Sequence, residues 1–197
     1  RAGLPNQPLL ISTSSIALQG AIIHDYLPFL SKVMMADGML DSPLRAVLRK
    51  GKSHYVCDAR LMKRLQTANL DRKNPLAKAA LLSMRDHLDL DMAPHLSGYD
   101  RERICVPPTC DCGKTECRYL CYLDVCASER YAIQVCNHNL LLADAIHQGS
   151  GKRPILPDSC AIVMDEAHKL PETARQMFGI TLAAGELHTL CRKLRRE

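Results

Sequence analysis

Asp165 and Glu166 follow directly on an apolar run, Ala161-Ile162-Val163-Met164, and two adjacent carboxylates in that position could do specific chemistry. A buried strand ending there would deliver both acids to the C-terminal edge of a parallel sheet, where open α/β folds keep their ligand crevice. Hydrolysis of a nucleoside triphosphate needs two carboxylates at such an edge. One holds Mg²⁺, usually through water, and the other orients and deprotonates the attacking water. For a bare pair, a strand end capped by solvated acids would be the simpler explanation. The next two residues, Ala167 and His168, make the tetrapeptide far more specific.

Cysteine supplies the second chemical signal. The chain holds ten, and Cys105, Cys110, Cys112, Cys117, Cys121 and Cys126 are crowded together, with Cys57 alone upstream and Cys136, Cys160 and Cys191 downstream. A secreted domain could use such a set as a disulfide framework. The absence of a signal peptide, the triphosphatase-type acids and the concentration of the thiols argue against it. Metal is the better explanation. Zinc favours two clean pairs with short spacers, whereas Cys105-x4-Cys110-x6-Cys117 with a distant Cys57 is an uneven three-plus-one arrangement. That suits an iron–sulfur cluster, which takes four thiolates from irregular loops. The spacing is also compatible with zinc.

These residues need elements to hold them. Pro8 to Thr13 reads as a short buried strand ending in Ser12 and Thr13, and Leu18, Ile22, Tyr26, Leu30 and Val33 then recur at helical period. From Ser42 to about Val106 the alternation of strand and helix breaks down. Leu76 to Leu90 predicts an amphipathic helix with Leu76, Ala80, Met84 and Leu88 on one face. Arg118 to Val135 reads as mostly helical, and Leu187, Leu190, Cys191 and Leu194 mark a last amphipathic helix. With 4% aromatic residues and no Trp, aliphatic side chains must build the core. No apolar stretch approaches the ~20 residues of a membrane-spanning helix.

Charge is uneven. The formal net charge is +5, yet between Arg45 and Lys73 nine Lys or Arg face only Asp58 and Asp71. Lys50, Lys52, Lys63 and Arg64 are the core of this stretch, which makes a phosphate backbone the partner to expect. A solvated helix face is the alternative for any charge run.

The phosphate-binding half of a triphosphatase site does not accompany the acids. Gly149-Ser150-Gly151-Lys152-Arg153 lacks the upstream glycine and the hydroxyl residue that a phosphate loop needs, and Gly51-Lys52-Ser53 lacks a glycine five places before it. Alone, the chain is therefore not expected to hydrolyse ATP. It begins with Arg1 and ends on Arg195-Arg196-Glu197, as an excised or partial piece would.

Taken in order, the motifs carry a resemblance. Strand-Ser12-Thr13-helix, Lys50-Gly51-Lys52-Ser53-His54-Tyr55-Val56-Cys57, the cysteine cluster, Asn137-His138-Asn139-Leu140-Leu141-Leu142-Ala143-Asp144 and Asp165-Glu166-Ala167-His168 follow one another. The set resembles the DinG branch of the XPD/DinG iron–sulfur helicases of superfamily 2, whose DEAH box is the last of these motifs. The resemblance covers nearly the whole chain. It implies an α/β fold: a partial RecA-like P-loop NTPase motor domain (1–41 and 121–197) interrupted by a small, mostly helical iron–sulfur domain (42–120).

The implied parent activity is ATP-driven 5′→3′ unwinding of DNA, with Mg²⁺ and ATP as cofactors and a 4Fe–4S domain that helps grip or split the duplex. Asp165 and Glu166 would be the Mg²⁺ and catalytic carboxylates, and His168 would couple the nucleotide site to the second motor domain. Cys57 matches the first cluster ligand and Cys117 the last. Cys105 and Cys110 fill the middle places, Cys112 is their alternate, and Cys121 could replace Cys117. Ser12 and Thr13 would lie near DNA phosphates, although ordinary helix capping also explains them. Asn137 and His138 would pack the motor. The implied partners are single-stranded or forked DNA and the remainder of the helicase chain, without a membrane, and the implied location is cytoplasmic. The alternative is a DNA- or protein-binding module whose cysteines are degenerate or hold zinc.

Overall fold

A computed structural model describes residues 7–68, 74–110, 117–128 and 130–179. Four short parallel strands, β1 (Leu9–Thr13), β2 (Ala46–Leu48), β3 (Ile133–Asn137) and β4 (Ala161–Met164), form one sheet in the order β2-β3-β1-β4. Strand β1 lies between β3 and β4 with Ser12 opposite both Cys136 and Met164. Parallel sheets need cover on both faces, and the alternation within the inner strands provides for it. Leu10 and Cys136 pack with Leu140 and Leu156 on one side, while Ile133 and Val135 pack with Leu27 on the other.

Two expectations about this sheet are corrected. Ile133 to Cys136 is a wholly buried strand, not the end of a helix. Its β-branched residues suit a pleated interior position, and the preceding helix, Arg118–Ala127, stops short of it. Strand β4 forms where expected but is not buried: Ile162, Val163 and Met164 keep 43–47% of their surface exposed. The reason is position, since β4 is the edge strand of the sheet among the described residues. Ala46–Leu48, inside the stretch 42–120 set aside as an insertion, pairs with β3 as part of the same sheet.

After β1 the chain enters α1 (Ile16–Ala21), a π-helical turn (Ile22–Tyr26) and α2 (Leu27–Ala36). A π-turn adds a residue to one turn and so rotates whatever follows. The buried positions are accordingly Gln19, Leu27 and Ser31, while Tyr26, Leu30 and Val33, which were expected inside, are exposed. Ser31 uses its place there to accept a hydrogen bond from the Leu44 amide at 2.9 Å.

The region around the cysteines has its own small core. Helices α3 (Asp58–Thr67), α4 (Pro75–Ser83) and α5 (Gly98–Ile104) enclose Val56, Leu61, Leu81, Met84, Leu90 and Ile104. Helix α4 begins at Pro75, with Asn74 capping the Leu76 amide at 2.9 Å, and is shorter than the expected helix to Leu90. Leu76 is exposed, and Leu88 packs apart from the helix beside Tyr55, Cys57 and Val106.

Ion pairs stiffen this small core. Arg64 Nε donates to the fully buried Asp100 at 2.7 Å, and Lys50 Nζ binds Asp89 and Asp91 at 2.6 and 2.8 Å. Arg101 also holds Asp91, at 2.8 Å. Burial disfavours the charged Asp91, but hydrogen bonds from Lys50 and Arg101 outweigh it and hold the carboxyl well below the usual carboxylate range. A tyrosine relay ties this region to the sheet: the Lys50 amide donates to Tyr55 Oη at 3.1 Å, Tyr55 Oη meets Tyr122 Oη at 3.0 Å, and Tyr122 donates to Leu48 O at 2.6 Å. Tyr122 belongs to α6 (Arg118–Ala127), from which the chain returns through β3 to α7 (His138–Gly149), β4 and α8 (Leu170–Phe178). The glycine-rich stretch taken as a loop terminates α7, with Gly151 at φ 68°. The expected helix around Leu187–Leu194, with Cys191, lies outside the described residues. Among the described residues no helix is long and apolar enough to cross a membrane.

Removing one partner of a buried ion pair leaves the other charge without compensation. Arg64→Ala should therefore lower stability by about 3 kcal/mol in urea unfolding, whereas exposed Lys63→Ala should leave the midpoint unchanged. Asp91 stabilises the fold above its unfolded pKa of about 4, and that contribution fades as pH falls towards its depressed folded value. Acid titration of the Asp91→Asn variant should show a shallower loss of stability below pH ~4 than the parent chain.

Candidate functional site

The Asp-Glu pair stands where the ends of β1 and β4 meet. The Asp165 amide donates to Ser12 O at 2.8 Å, continuing the ladder one residue beyond β4. Thr13 Oγ1 donates to Asp165 Oδ2 at 3.1 Å, so backbone and side chain of Asp165 are both held by the last two residues of β1. Its other oxygen, Oδ1, has no protein partner among the described residues, which leaves it for a hydrated cation. Ser12 is itself fixed from the other side. Its hydroxyl lies 2.8 Å from Nδ1 of His138, a residue 1% exposed at the start of α7, while Asn137 caps the Leu140 amide at 2.9 Å. His138 Nε2 is buried without a partner among the described residues.

Ser12 and Thr13 were expected to face DNA phosphates. Both are fully buried instead, with their hydroxyls spent on His138 and Asp165. Neighbouring Ser14 and Ser15 line an open depression of about 410 Å³ together with Leu18, Glu166 and Lys169.

Glu166 adopts φ 52°, ψ 39°, the left-handed region that costs a non-glycine residue energy. That kink turns the chain from β4 into the 3₁₀ turn Ala167–Lys169 and lifts the carboxylate away from the sheet. Lys169, which the sequence reading overlooked, reaches back: its Nζ is 2.7 Å from Glu166 Oε2 and 3.3 Å from Ser14 Oγ. The hydrogen bond from Lys169, and then its charge, lower the Glu166 pKa and keep this exposed acid ionised. An acid followed by Lys three places on is the signal that would have found it. His168 is largely exposed, 3.6 Å from Glu166 Oε2.

The cysteines sit on a separate part of the molecule. Val56 and Cys105 form an antiparallel bridge, with the Cys57 amide donating to Ile104 O at 2.8 Å, so Cys57 and Cys105 occupy adjacent strands of backbone. Cys57 precedes α3 and Cys117 precedes α6, and neither thiol caps its helix. Arg118 Nε donates to Asp58 Oδ1 at 2.7 Å, pinning the starts of these two helices together. Cys105 Sγ donates to Glu102 O at 3.3 Å, and Cys110 and Cys121 are exposed. The donor set is therefore all thiol, with three members on elements that meet. Among the described residues no three potential ligand side chains converge closely enough to hold a metal, and Cys112 lies outside those residues.

The basic stretch divides. Lys50 and Arg64, proposed as DNA contacts, are nearly enclosed and spent on Asp89, Asp91 and Asp100. Lys52 is exposed and donates to Pro108 O, and Lys63 is exposed with no carboxylate partner among the described residues.

Loss of the His138 imidazole would strand the buried Ser12 hydroxyl. His138→Ala should cost about 2–3 kcal/mol in thermal or urea unfolding, and Ser12→Ala on that background should recover part of it. Additive losses in the double variant would mean that the two side chains do not cooperate.

No protein-family model matches the chain. Among curated proteins it is similar to the ATP-dependent DNA helicase YoaA of Haemophilus influenzae, 27% identical over 203 aligned positions covering 94% of this chain and 29% of that protein. YoaA of Escherichia coli is 29% identical over 195 positions, covering 94% of this chain and 30% of that protein. The 3′-5′ exonuclease DinG of Bacillus subtilis is 27% identical over 198 positions, covering 93% of this chain and 19% of its own length. The chain thus spans less than a third of the relatives that it matches. With its parallel sheet and its Asp-Glu-Ala-His turn, the chain is thus similar over most of its length to one part of the YoaA and DinG helicases.

Proposed function

We propose that this chain is the part of an ATP-dependent DNA helicase that carries the Mg²⁺-binding and water-activating acids, moving 5′→3′ on DNA as the resemblance implies. The observation that carries the reading is the double hold of β1 on Asp165, through Ser12 O and Thr13 Oγ1, at the C-terminal edge of a parallel sheet. Asp165 would hold a hydrated Mg²⁺ through Oδ1, and the ion would neutralise charge on the phosphates of ATP. Glu166, held by Lys169 at 2.7 Å, would orient the attacking water and accept its proton. His168, exposed beside it, is free to meet the second motor domain. The phosphate loop would be supplied by the rest of a longer chain.

Cys57, Cys105, Cys110 and Cys117 would hold a 4Fe–4S cluster, with Cys112 as alternate. When bound, the cluster would cross-link a region whose core is small and whose loops are long. The all-thiol donor set and the meeting of α3, α6 and the Val56–Cys105 bridge support this assignment. The bridge and the Asp58–Arg118 pair need no metal to form, which keeps a zinc-filled or metal-free binding module as the second reading.

In the full-length protein, Glu166→Gln should reduce DNA-stimulated ATP hydrolysis by about a hundredfold or more while ATP still binds. Unchanged turnover would remove Glu166 from the chemistry. Anaerobic purification followed by absorbance and metal analysis should yield a band near ~400 nm and about four iron per chain. Both should be lost in Cys57→Ser. Zinc, or no metal, would favour the binding module.

A further inference from the structure

Helices α3 and α5 pack with their contacts in opposite order: Arg60 Nη1 donates to Cys105 O at 2.7 Å, and Arg64 Nε to Asp100 Oδ1 at 2.7 Å. On the outside of this pair Tyr99 keeps 55% of its surface exposed. The Arg103 guanidinium lies 4.3 Å from the centre of its ring and that of Arg64 lies 5.1 Å away. Tyr99 and Arg103 are one helical turn apart, so the helix itself sets their stacking. Lys63 is exposed and directly precedes Arg64 on α3.

The cations of this region fall into two kinds. Lys50, Arg64, Arg101 and Arg118 all have carboxylate partners. Arg103 and Lys63 are exposed and have none among the described residues, while on the same two helices Asp58 and Asp100 are engaged by Arg118 and Arg64. A surface that only needed solubility would leave such charges singly solvated. Here two guanidinium groups stand over an exposed aromatic ring, Arg64 paired with Asp100 and Arg103 without a carboxylate partner among the described residues, and a guanidinium on tyrosine extends its π surface. That pairing of flat faces with free positive charge matches the nucleobases and phosphates of a single strand. A purely acidic protein partner would have no use for the ring. Arg60 also connects this face to the cysteine region, since the same guanidinium lies 3.8 Å from Cys105 Sγ.

We propose that Tyr99, Arg103 and Lys63 form a contact site for single-stranded DNA on the α3–α5 face, bases stacking on the Tyr99–Arg103 pair and phosphates meeting Arg103 and Lys63. The inference rests on the DNA-helicase reading and specifies where the strand is held. It differs from the basic stretch as read in sequence, because Lys50 and Arg64 are internal and Tyr99 and Arg103 lie outside that stretch.

The test is fluorescence anisotropy of labelled oligo(dT) with the whole chain across a salt series, using Tyr99→Phe, Tyr99→Leu, Arg103→Gln and Lys63→Gln. Tyr99→Leu should weaken binding about tenfold at every salt concentration, and Tyr99→Phe should bind like the parent. Arg103→Gln and Lys63→Gln should each reduce the slope of log affinity against log salt by about 0.7. A 5-iododeoxyuridine oligonucleotide should photocrosslink to Tyr99. Urea unfolding of each variant separates a local loss of contact from a loss of fold. Parent-like binding by all four variants would overturn the site and leave the helicase reading intact. Failure of the parent chain to bind oligo(dT) at low salt would overturn the site together with the DNA part of that reading. Competition by polyglutamate equal to that by DNA would overturn the stacking role.

Discussion

Strand β1 is paired on both sides, and its last two residues are buried so completely that neither hydroxyl is available to solvent. Buried hydroxyls must find partners or cost free energy. Ser12 finds the imidazole of His138, and Thr13 finds the carboxylate of Asp165. Because one is reached through β3 and the other through β4, the requirement aligns the C-terminal ends of β3, β1 and β4. The site follows from that alignment: Asp165 is held at the edge, and the left-handed Glu166 turns outward beside it.

The region of α3, α4 and α5 solves a different problem. Its apolar core is small, and charged networks do part of the work that a larger core would do. Asp100 is fully buried against Arg64, while Asp91 collects Lys50, Arg101 and His54. The tyrosine relay from Lys50 through Tyr55 and Tyr122 to Leu48 joins this region to the sheet by hydrogen bonds rather than apolar packing. Burial raises the pKa of both phenols, so they remain neutral donors and acceptors across the ordinary pH range. Cys57 lies two residues beyond Tyr55, and Cys117 five before Tyr122, so the thiol region and the sheet share one short connection.

The same logic explains how the basic stretch sorts itself. A charge near a small core is either paired and enclosed or expelled to solvent. Lys50 and Arg64 took the first course, and Lys63 and Arg103 the second. In the proposed site, contact with a polyanion falls to the second group, together with the exposed ring of Tyr99 beneath Arg103.

Local pattern was enough to locate the acids, the strand that delivers them, the ordered motifs and the crowding of cysteines, because each depends on residue type over a few positions. It was also enough to reject Gly149–Arg153 as a phosphate loop, and the structure has it ending a helix. Pattern failed where the outcome depended on a distant partner. Ser12 and Thr13 turn inward because residues 126 and 152 positions away need them. Ile133–Cys136 is a strand because two neighbours flank it, and β4 is exposed because it has only one. The π-turn at Ile22–Tyr26 rotates α2 away from the face its periodicity indicated, since one extra residue per turn leaves no mark on composition. The sequence by itself thus determined which chemical groups are present and in what order. Tertiary structure decided which hydroxyls and cations are free to use it, because burial and pairing are properties of segments that meet only in the folded chain.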